Sequence, residues 1–511
     1  MLLLANEHRL IMPKRLNILY PFSALLIGMF VAQVLATVQV YFSNSDLFES
    51  MMAIKDAGYL TVPNKNIISG LKGFGPAFYG GLFFTFSIGA GISFLTLVLV
   101  WVWDRLFSRR QYLLYFYLSL WLLCLIALNL HGFFPLATLY FLMIPPAVFV
   151  TTARSLSYLN KQNRHRNELI HIIPVVVLAF FLFWQADVRM FSDFRDIFLL
   201  SNPVGSRIND FYYKYTLYPA EVFKSLDQKM LKSCRIEKIK KITTVRSLEK
   251  ILISYDYVPI TSNIEVDLKV IQAENDFILE NRGEPISRLN SKEFLTNPDK
   301  AIKLFSKRSD AHSFFRWFTF LSLRYGFGLA IAVYVIGHGL ITIVLSLFLK
   351  IRTSSVIASG ICFALCLILF FCFQFNRSPD VSIENLSDAL NSDRWQKRVA
   401  ALKVIDEKGL EINSFQAYPK LLTSTYIPER YWFIKALAKS RSSVTYPDLL
   451  NFLNDPHPNI ITKAFEALGQ RGNRAAIAEI IEKIEASDNW YAQWYGYRAL
   501  RSLGWKQIKL K

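Results

Sequence analysis

The chain has 511 residues, 53% of them hydrophobic and 15% aromatic, but only 19% charged, below the roughly 25% usual for soluble domains. Long uncharged runs cause the deficit, which sets aside a soluble enzyme and points to a polytopic membrane protein. The net charge of +19 would suggest nucleic-acid binding in a soluble chain. Here much of the excess sits in short loops between apolar runs and the polar segments are nearly balanced, so no nucleic-acid surface is expected.

Seven hydrophobic segments are long enough to cross a bilayer, which takes about 20 helical residues: 17–42, 74–103, 112–130, 133–153, 170–187, 319–349 and 354–375. The first reads as an uncleaved span, because it is too long for a signal core and no small-residue cleavage site follows it. Lys and Arg in short loops set orientation. Arg9, Lys14 and Arg15, then Arg105, Arg109 and Arg110, then Arg154, Lys161, Arg164 and Arg166, and finally Lys350 and Arg352 all fall on one side if each segment crosses once. That puts the N-terminus in the cytoplasm and the loop 43–73 and both polar modules outside. The expectation requires 319–349 to be one long helix. A hairpin at Gly337-His338-Gly339 would instead move the C-terminal module inside.

Span two carries a small-residue stripe, Ala77, Gly81, Thr85, Gly89 and Ser93, on one helical face. Small residues let backbones approach closely in lipid, either within this bundle or in a homo-oligomer through span two. Pro145-Pro146 in span four leaves carbonyls without their helical donors. The spans hold no Asp or Glu at mid-membrane, which argues against ion-coupled transport. Weak catalytic candidates are Asp46 and Glu49 in the first external loop and His338 deep in span six. Each has a plainer reading, as solvated carboxylates and as a histidine bonded to a neighbouring helix. Five cysteines, four of them in apolar runs, give no disulfide framework. No metal site or cofactor is expected.

The polar module 188–315 opens with an amphipathic stretch over 190–200, which suits a membrane surface. Phe211-Tyr212-Tyr213-Lys214-Tyr215 follows, with Tyr218. Strict alternation over Ile264–Val270 predicts a half-buried strand, Asp276–Leu279 another, and 247–254 and 287–305 helices. The expectation is a small α+β domain.

Beyond Ser378-Pro379, four Ala-Leu pairs recur: Ala401-Leu402, Ala436-Leu437, Ala467-Leu468 and Ala499-Leu500, spaced 35, 31 and 32 residues. Such spacing predicts repeated helix pairs. Leu453-Asn454-Asp455-Pro456 and Ala464, Ala467-Leu468-Gly469 resemble the short bacterial form of the HEAT-like repeat family, over about 380–505. The resemblance implies an α-solenoid that binds proteins. Arg430 falls where the family often has arginine, whereas Ile461 and Gln493 stand at the equivalent later positions and the first copy aligns loosely. Some members act as lyases on bilin chromophores, but no motif here carries that activity. The last copy crowds Trp490, Tyr491, Trp494, Tyr495, Arg498 and Arg501 onto one helix. Aromatics and arginine are the commonest interface anchors; they also suit a terminal cap or a membrane interface.

The expected fold is therefore mainly α: a polytopic bundle of about seven spans (1–187 and 316–375), an extracytoplasmic α+β domain (188–315) and a C-terminal HEAT-like α-solenoid (376–511). The expected role is an integral scaffold or assembly protein of a bacterial cytoplasmic membrane. It would contact membrane lipid and bind a protein partner through Arg430, Trp490, Trp494, Tyr495, Arg498 and Arg501. The alternative is a membrane enzyme or transporter for a lipid-linked or apolar substrate, with the repeats as an accessory.

Overall fold

The computed structural model describes residues 19–130, 132–158, 190–324 and 328–509, and is 72% helix and 6% strand. The expected span at 170–187, and Arg9, Lys14, Arg15, Lys161, Arg164 and Arg166, lie outside the described residues. In chain order, α1 (Tyr20–Asp56), α2 (Phe74–Arg105), α3 (Gln111–Asn129) and α4 (Pro135–Tyr158) come first. Then come α5 (190–200), α6 (Pro203–Tyr215) and α7 (Leu217–Phe223). A sheet region follows, with β1 (Lys232–Glu237), α8 (Ile242–Ser254), β2 (Tyr257–Pro259), β3 (Leu268–Ala273), β4 (Asp276–Asn281), β5 (Glu284–Asn290), α9 (Ser291–Thr296) and α10 (Pro298–Arg308). Apolar helices return as α11 (Ser313–Arg324), α12 (Leu329–Leu345) and α13 (Ile351–Asn376). Four helix pairs succeed them: α14 (Leu386–Asn391) with α15 (Trp395–Lys408), α16 (Tyr418–Leu422) with α17 (Ile427–Lys439), α18 (Thr445–Asn451) with α19 (Pro458–Arg471), and α20 (Ile477–Ala486) with α21 (Trp490–Ser502).

Among the described residues five helices, α1 to α4 and α13, are long and apolar enough to cross a membrane; α11 and α12 together form a sixth candidate, bent by 56°. The single unbroken helix expected over 319–349 is thus corrected to two. Residues 325–327, between the two, lie outside the described residues, and Gly337-His338-Gly339 lies inside α12. Gly328 has φ −90° and ψ −90°, and a Cβ there would collide with the Phe86 carbonyl. Gly337 meets nothing within 4 Å, so the helix simply continues through it.

The chain divides into two compact units: Met1–Phe42, Ala77–Asp187 and Ala311–Cys372 form one, and Ser43–Pro76, Val188–Asp310 and Phe373–Lys511 the other. In the first, the small stripe of α2 faces α1. A Cβ on Gly81 would stand 3.1 Å from the Thr37 amide nitrogen, and one on Gly89 would overlap Ala32. Beside them, Gln33 of α1 accepts from the Thr85 hydroxyl at 2.7 Å and donates to the Phe78 carbonyl at 2.9 Å. Lipid offers no hydrogen bonds, so such groups pair between helices. The same need explains Trp121. Pro145 of α4 has no N–H, which frees the carbonyl four residues back, and the Trp121 indole donates to that Phe141 oxygen at 2.7 Å. Arg109 ties the ends of α2 and α4, pairing with buried Asp104 at 2.7 Å and donating to the Ser157 hydroxyl at 3.0 Å.

In the second unit the strand order is β2-β1-β3-β4-β5, with β1 parallel to β2 and β3, and β3, β4 and β5 antiparallel. One sheet face buries Cys234, Leu268, Val270, Phe277 and Leu279 beneath Leu248 and Leu252 of α8, Phe294 of α9 and Phe305 of α10. The strand expected from Ile264 starts at Leu268. Before it, the Ile264 carbonyl accepts from Arg235, and Asp267 accepts from Lys229 and the Ser233 amide, replacing ladder bonds.

The second helices of the four pairs pack in sequence, α15 on α17, α17 on α19 and α19 on α21, and all four Ala-Leu pairs are buried. Hydrogen bonds give a sharper register than the Ala-Leu pairs. Arg398, Arg430 and Gln493 each donate to the carbonyl six residues back, Ser392, Ser424 and Ser487. With Ile461 third, these positions are spaced 32, 31 and 32 residues. The first Ala-Leu pair is therefore offset by three residues, one helical turn, from its later counterparts, which accounts for the 35-residue spacing. Consecutive copies are strapped together from the same positions. Arg398 makes a bidentate pair with Glu429 at 2.7 and 2.8 Å, and Arg430 pairs with Asp455 at 2.9 Å.

Candidate functional site

The helices α15, α17, α19 and α21 carry many aromatic and charged side chains, and the chain's own segments contact several of them. At the first two copies they meet α5. Asp193 and Asp196 stand three apart on that helix and are 2% and 1% exposed. Lys403 of α15 reaches Asp193 at 2.5 Å, Arg377 approaches Asp193 at 3.3 Å, and the Trp432 indole donates to Asp196 at 2.8 Å. Arg195 pairs with Asp196 at 2.6 Å and lies 3.8 Å over the Tyr431 ring. Buried carboxylates are tolerable only when paired and hydrogen-bonded in this way.

At the third copy the contact is uncharged. Asn209 of α6 donates to Asn459 at 2.5 Å, and Asn459 donates to the Tyr213 hydroxyl at 3.2 Å. At the fourth, Tyr491 stacks on Tyr212 and shares a 2.8 Å hydrogen bond with Thr216, while Trp490 sits edge-on to Tyr218. Gln493 accepts from the amide of Asn64, and Gln507 donates to the Leu60 carbonyl, both at 2.9 Å. The segment after α1 that holds Leu60 and Asn64 is thus bound by the last helix pair and the residues after it.

That copy also holds the sheet region. Asp256, in the left-handed conformation at φ 63°, accepts from the Tyr497 hydroxyl at 2.6 Å and forms an ion pair with Arg501 at 3.2 Å. Burial raises the Asp256 pKa, against the lowering influence of Tyr497 and Arg501. Nearby Lys232 is brought down to about 8 by burial, partly offset by Asp256 and Asp267. Burial likewise pushes the Tyr491 phenol up.

The residues expected at a partner surface therefore divide. Trp490 is 4% exposed against Tyr218, Arg501 is committed to Asp256 and the Ser254 carbonyl, and Arg430 straps copies two and three. Arg430 also borders a polar pocket of about 440 Å³ with Asp448, Asn451, Asn454 and Asp455. Trp494, Tyr495 and Arg498 stand apart. Arg498 is exposed and stacks over Trp494 at 4.8 Å and Tyr495 at 5.6 Å. The Trp494 indole N–H is buried and has no acceptor among the described residues.

The weak catalytic candidates do not converge. His338 of α12 bonds the Ser355 carbonyl of α13 at 3.2 Å and stacks on Tyr334, so it serves helix pairing. Asp46 and Glu49 lie on the last turns of α1, near one another electrostatically and near Arg282, Glu265 and Lys229. No group of three or more His, Cys, Asp or Glu side chains among the described residues is arranged to hold a metal ion. The sequence reading passed over Asp193, Asp196, Lys403 and Trp432. The available signal was two aspartates three apart, in Asp193-Phe194-Arg195-Asp196, on a helix rich in apolar residues. No family model matches this sequence, and comparison with curated proteins and with solved structures yields no match.

Proposed function

We propose that the chain is a multi-pass protein of a bacterial cytoplasmic membrane that scaffolds or assembles a protein complex through an extracytoplasmic α-solenoid of HEAT-like repeats. The membrane reading gains support from a parity condition. Segments 43–76, 188–310 and 373–511 belong to one compact unit and bond one another directly, as Asn64 does Gln493 and Asp193 does Lys403. Such segments share one side of a membrane, so an even number of crossings separates each from the next. The seven-span reading satisfies this with four crossings and then two, counting bent α11–α12 as one. A hairpin there would leave an odd number. The basic clusters then assign the unit to the outer side.

The observation that supports the scaffold reading is exposed Arg498 stacked over the half-buried rings of Trp494 and Tyr495. This group combines the residue types that anchor interfaces, and its neighbours are already engaged within the chain. The test is crosslinking and mass spectrometry on membranes carrying the full chain, comparing wild type with a Trp494→Ala, Arg498→Ala variant. Loss of a specific crosslinked protein is expected. A folded variant that keeps every co-purifying protein would sink the reading.

A further inference from the structure

We infer that the outward face of α6 is a lipid-contact surface lying in the headgroup layer of the bilayer, an inference that rests on the membrane reading above. Val204, Ile208, Phe211 and Tyr212 are 70%, 57%, 39% and 51% exposed. Their spacing of four, three and one puts them on one side of the helix. The other side is occupied: Gly205 and Asn209 are buried, Tyr213 bonds Asn459, and Thr216 bonds Tyr491. The apolar face is therefore held outward. A soluble surface rarely leaves Val204, Ile208 and Phe211 uncovered together on one helix, with the exposed part of Tyr212, whose ring also stacks on Tyr491, beside them.

Two tethers identify what covers it. Immediately before α6, α5 is fastened to the end of a candidate span: Phe198 stacks on Phe373 of α13, 6.3 Å between centroids at 17°, and Asp193 pairs with Arg377, one residue past α13. Only Ser201 and Asn202 separate α5 from α6, and the Asn202 side chain caps α6 by accepting from Gly205 at 2.8 Å. The apolar surface is also continuous in character with the span. Phe371 and Phe375 on the last turns of α13 are 52% and 76% exposed, and Phe191 and Phe194 of α5 are 79% and 52% exposed. Charge agrees with a lipid occupant. Exposed Arg207 and Lys214 border the apolar face of α6, where their stems lie along hydrocarbon and their heads reach phosphate. Tyrosine belongs at the same depth.

The test uses the full chain in nanodiscs of phosphatidylcholine and phosphatidylglycerol, with benzoylphenylalanine placed singly at Ile208, Phe211, Asp210 and Leu365. All four positions are exposed, so folding is preserved. Irradiation should give phospholipid adducts at 208, 211 and 365, and at least fivefold less at 210. Lipid adducts at 365 without any at 208 and 211, or protein–protein crosslinks at 208 and 211 in their place, would overturn this inference and leave the membrane reading standing. Failure at 365 as well would overturn both.

Discussion

The two compact units solve the same problem, holding helices together, by opposite means. In the first, contact between α1 and α2 depends on what is missing: side chains at Gly81 and Gly89 that would strike Thr37 and Ala32. Its contacts between helices include neutral ones, Gln33 with Thr85 and His338 with Ser355, while the charged Arg109–Asp104 pair stands at the helix ends. In the second, helices are joined by what is present, including the buried pairs Arg398–Glu429 and Lys403–Asp193 and a series of stacked tyrosines. The difference follows from the solvent each composition suits. Lipid gives apolar side chains no reason to associate, so close approach and neutral hydrogen bonds do the joining. Water drives burial and tolerates interior charge when each charge is matched.

The sharpest way to break this contrast is to unmatch a charge. Glu429→Ala leaves the Arg398 guanidinium buried without its bidentate partner; the expected loss is about 3–5 kcal/mol. Denaturant unfolding followed by tryptophan fluorescence in detergent measures it. Replacing both residues with apolar ones should recover most of the loss, and equal losses for the single and double variants would contradict the matched-charge account.

Lys232 gives a pH-dependent version. Its folded pKa of about 8 lies below the ordinary 10.5, so between those values the unfolded chain binds more protons and stability rises with pH. Wild type should therefore gain up to about 3 kcal/mol relative to Lys232→Met across that window. Parallel stability curves for the two proteins would show that Lys232 is not desolvated as described.

A third substitution addresses the first unit. Gly89→Leu should cost about 1–3 kcal/mol through overpacking against α1, whereas Gly337→Leu, with open space around it, should cost little. Unfolding in mixed detergent would compare them, and equal costs would remove the close-approach argument. The smallest effect is expected for Arg498→Ala, at an exposed position: about 0.5 kcal/mol or less in stability, alongside weakened partner capture.

Sequence patterning made much of the architecture legible. Hydropathy alone identified the apolar helices, alternation located a strand ending near Val270, and the Ala-Leu recurrence marked the helix pairs, because each signal is the direct imprint of a periodic buried face. The bend between α11 and α12 was not legible. Gly337 and Gly339 looked equally suited to it, yet both lie inside α12, Gly339 packed against Phe22 and Gly337 in open space. The three-residue offset of the first Ala-Leu pair was hidden because Ala401 and Leu402 are buried like their counterparts while standing one turn earlier. The self-directed use of Trp490 and Arg501 was hidden for a different reason. Aromatic and arginine side chains suit any interface, and composition does not record whether the other side belongs to the same chain.

The bonds from Gln493 to Asn64 and from Gln507 to Leu60 span 429 and 447 residues of sequence. During synthesis the segment that holds Leu60 and Asn64 emerges long before the residues that bind it. Contacts of such separation are the slowest to form, and until they do, the segment's hydrogen-bonding groups are open to water or to chaperones. A truncated product would lack the clasp while retaining every apolar helix. The early segment thereby completes its hydrogen bonds only once the last helix pair has been made.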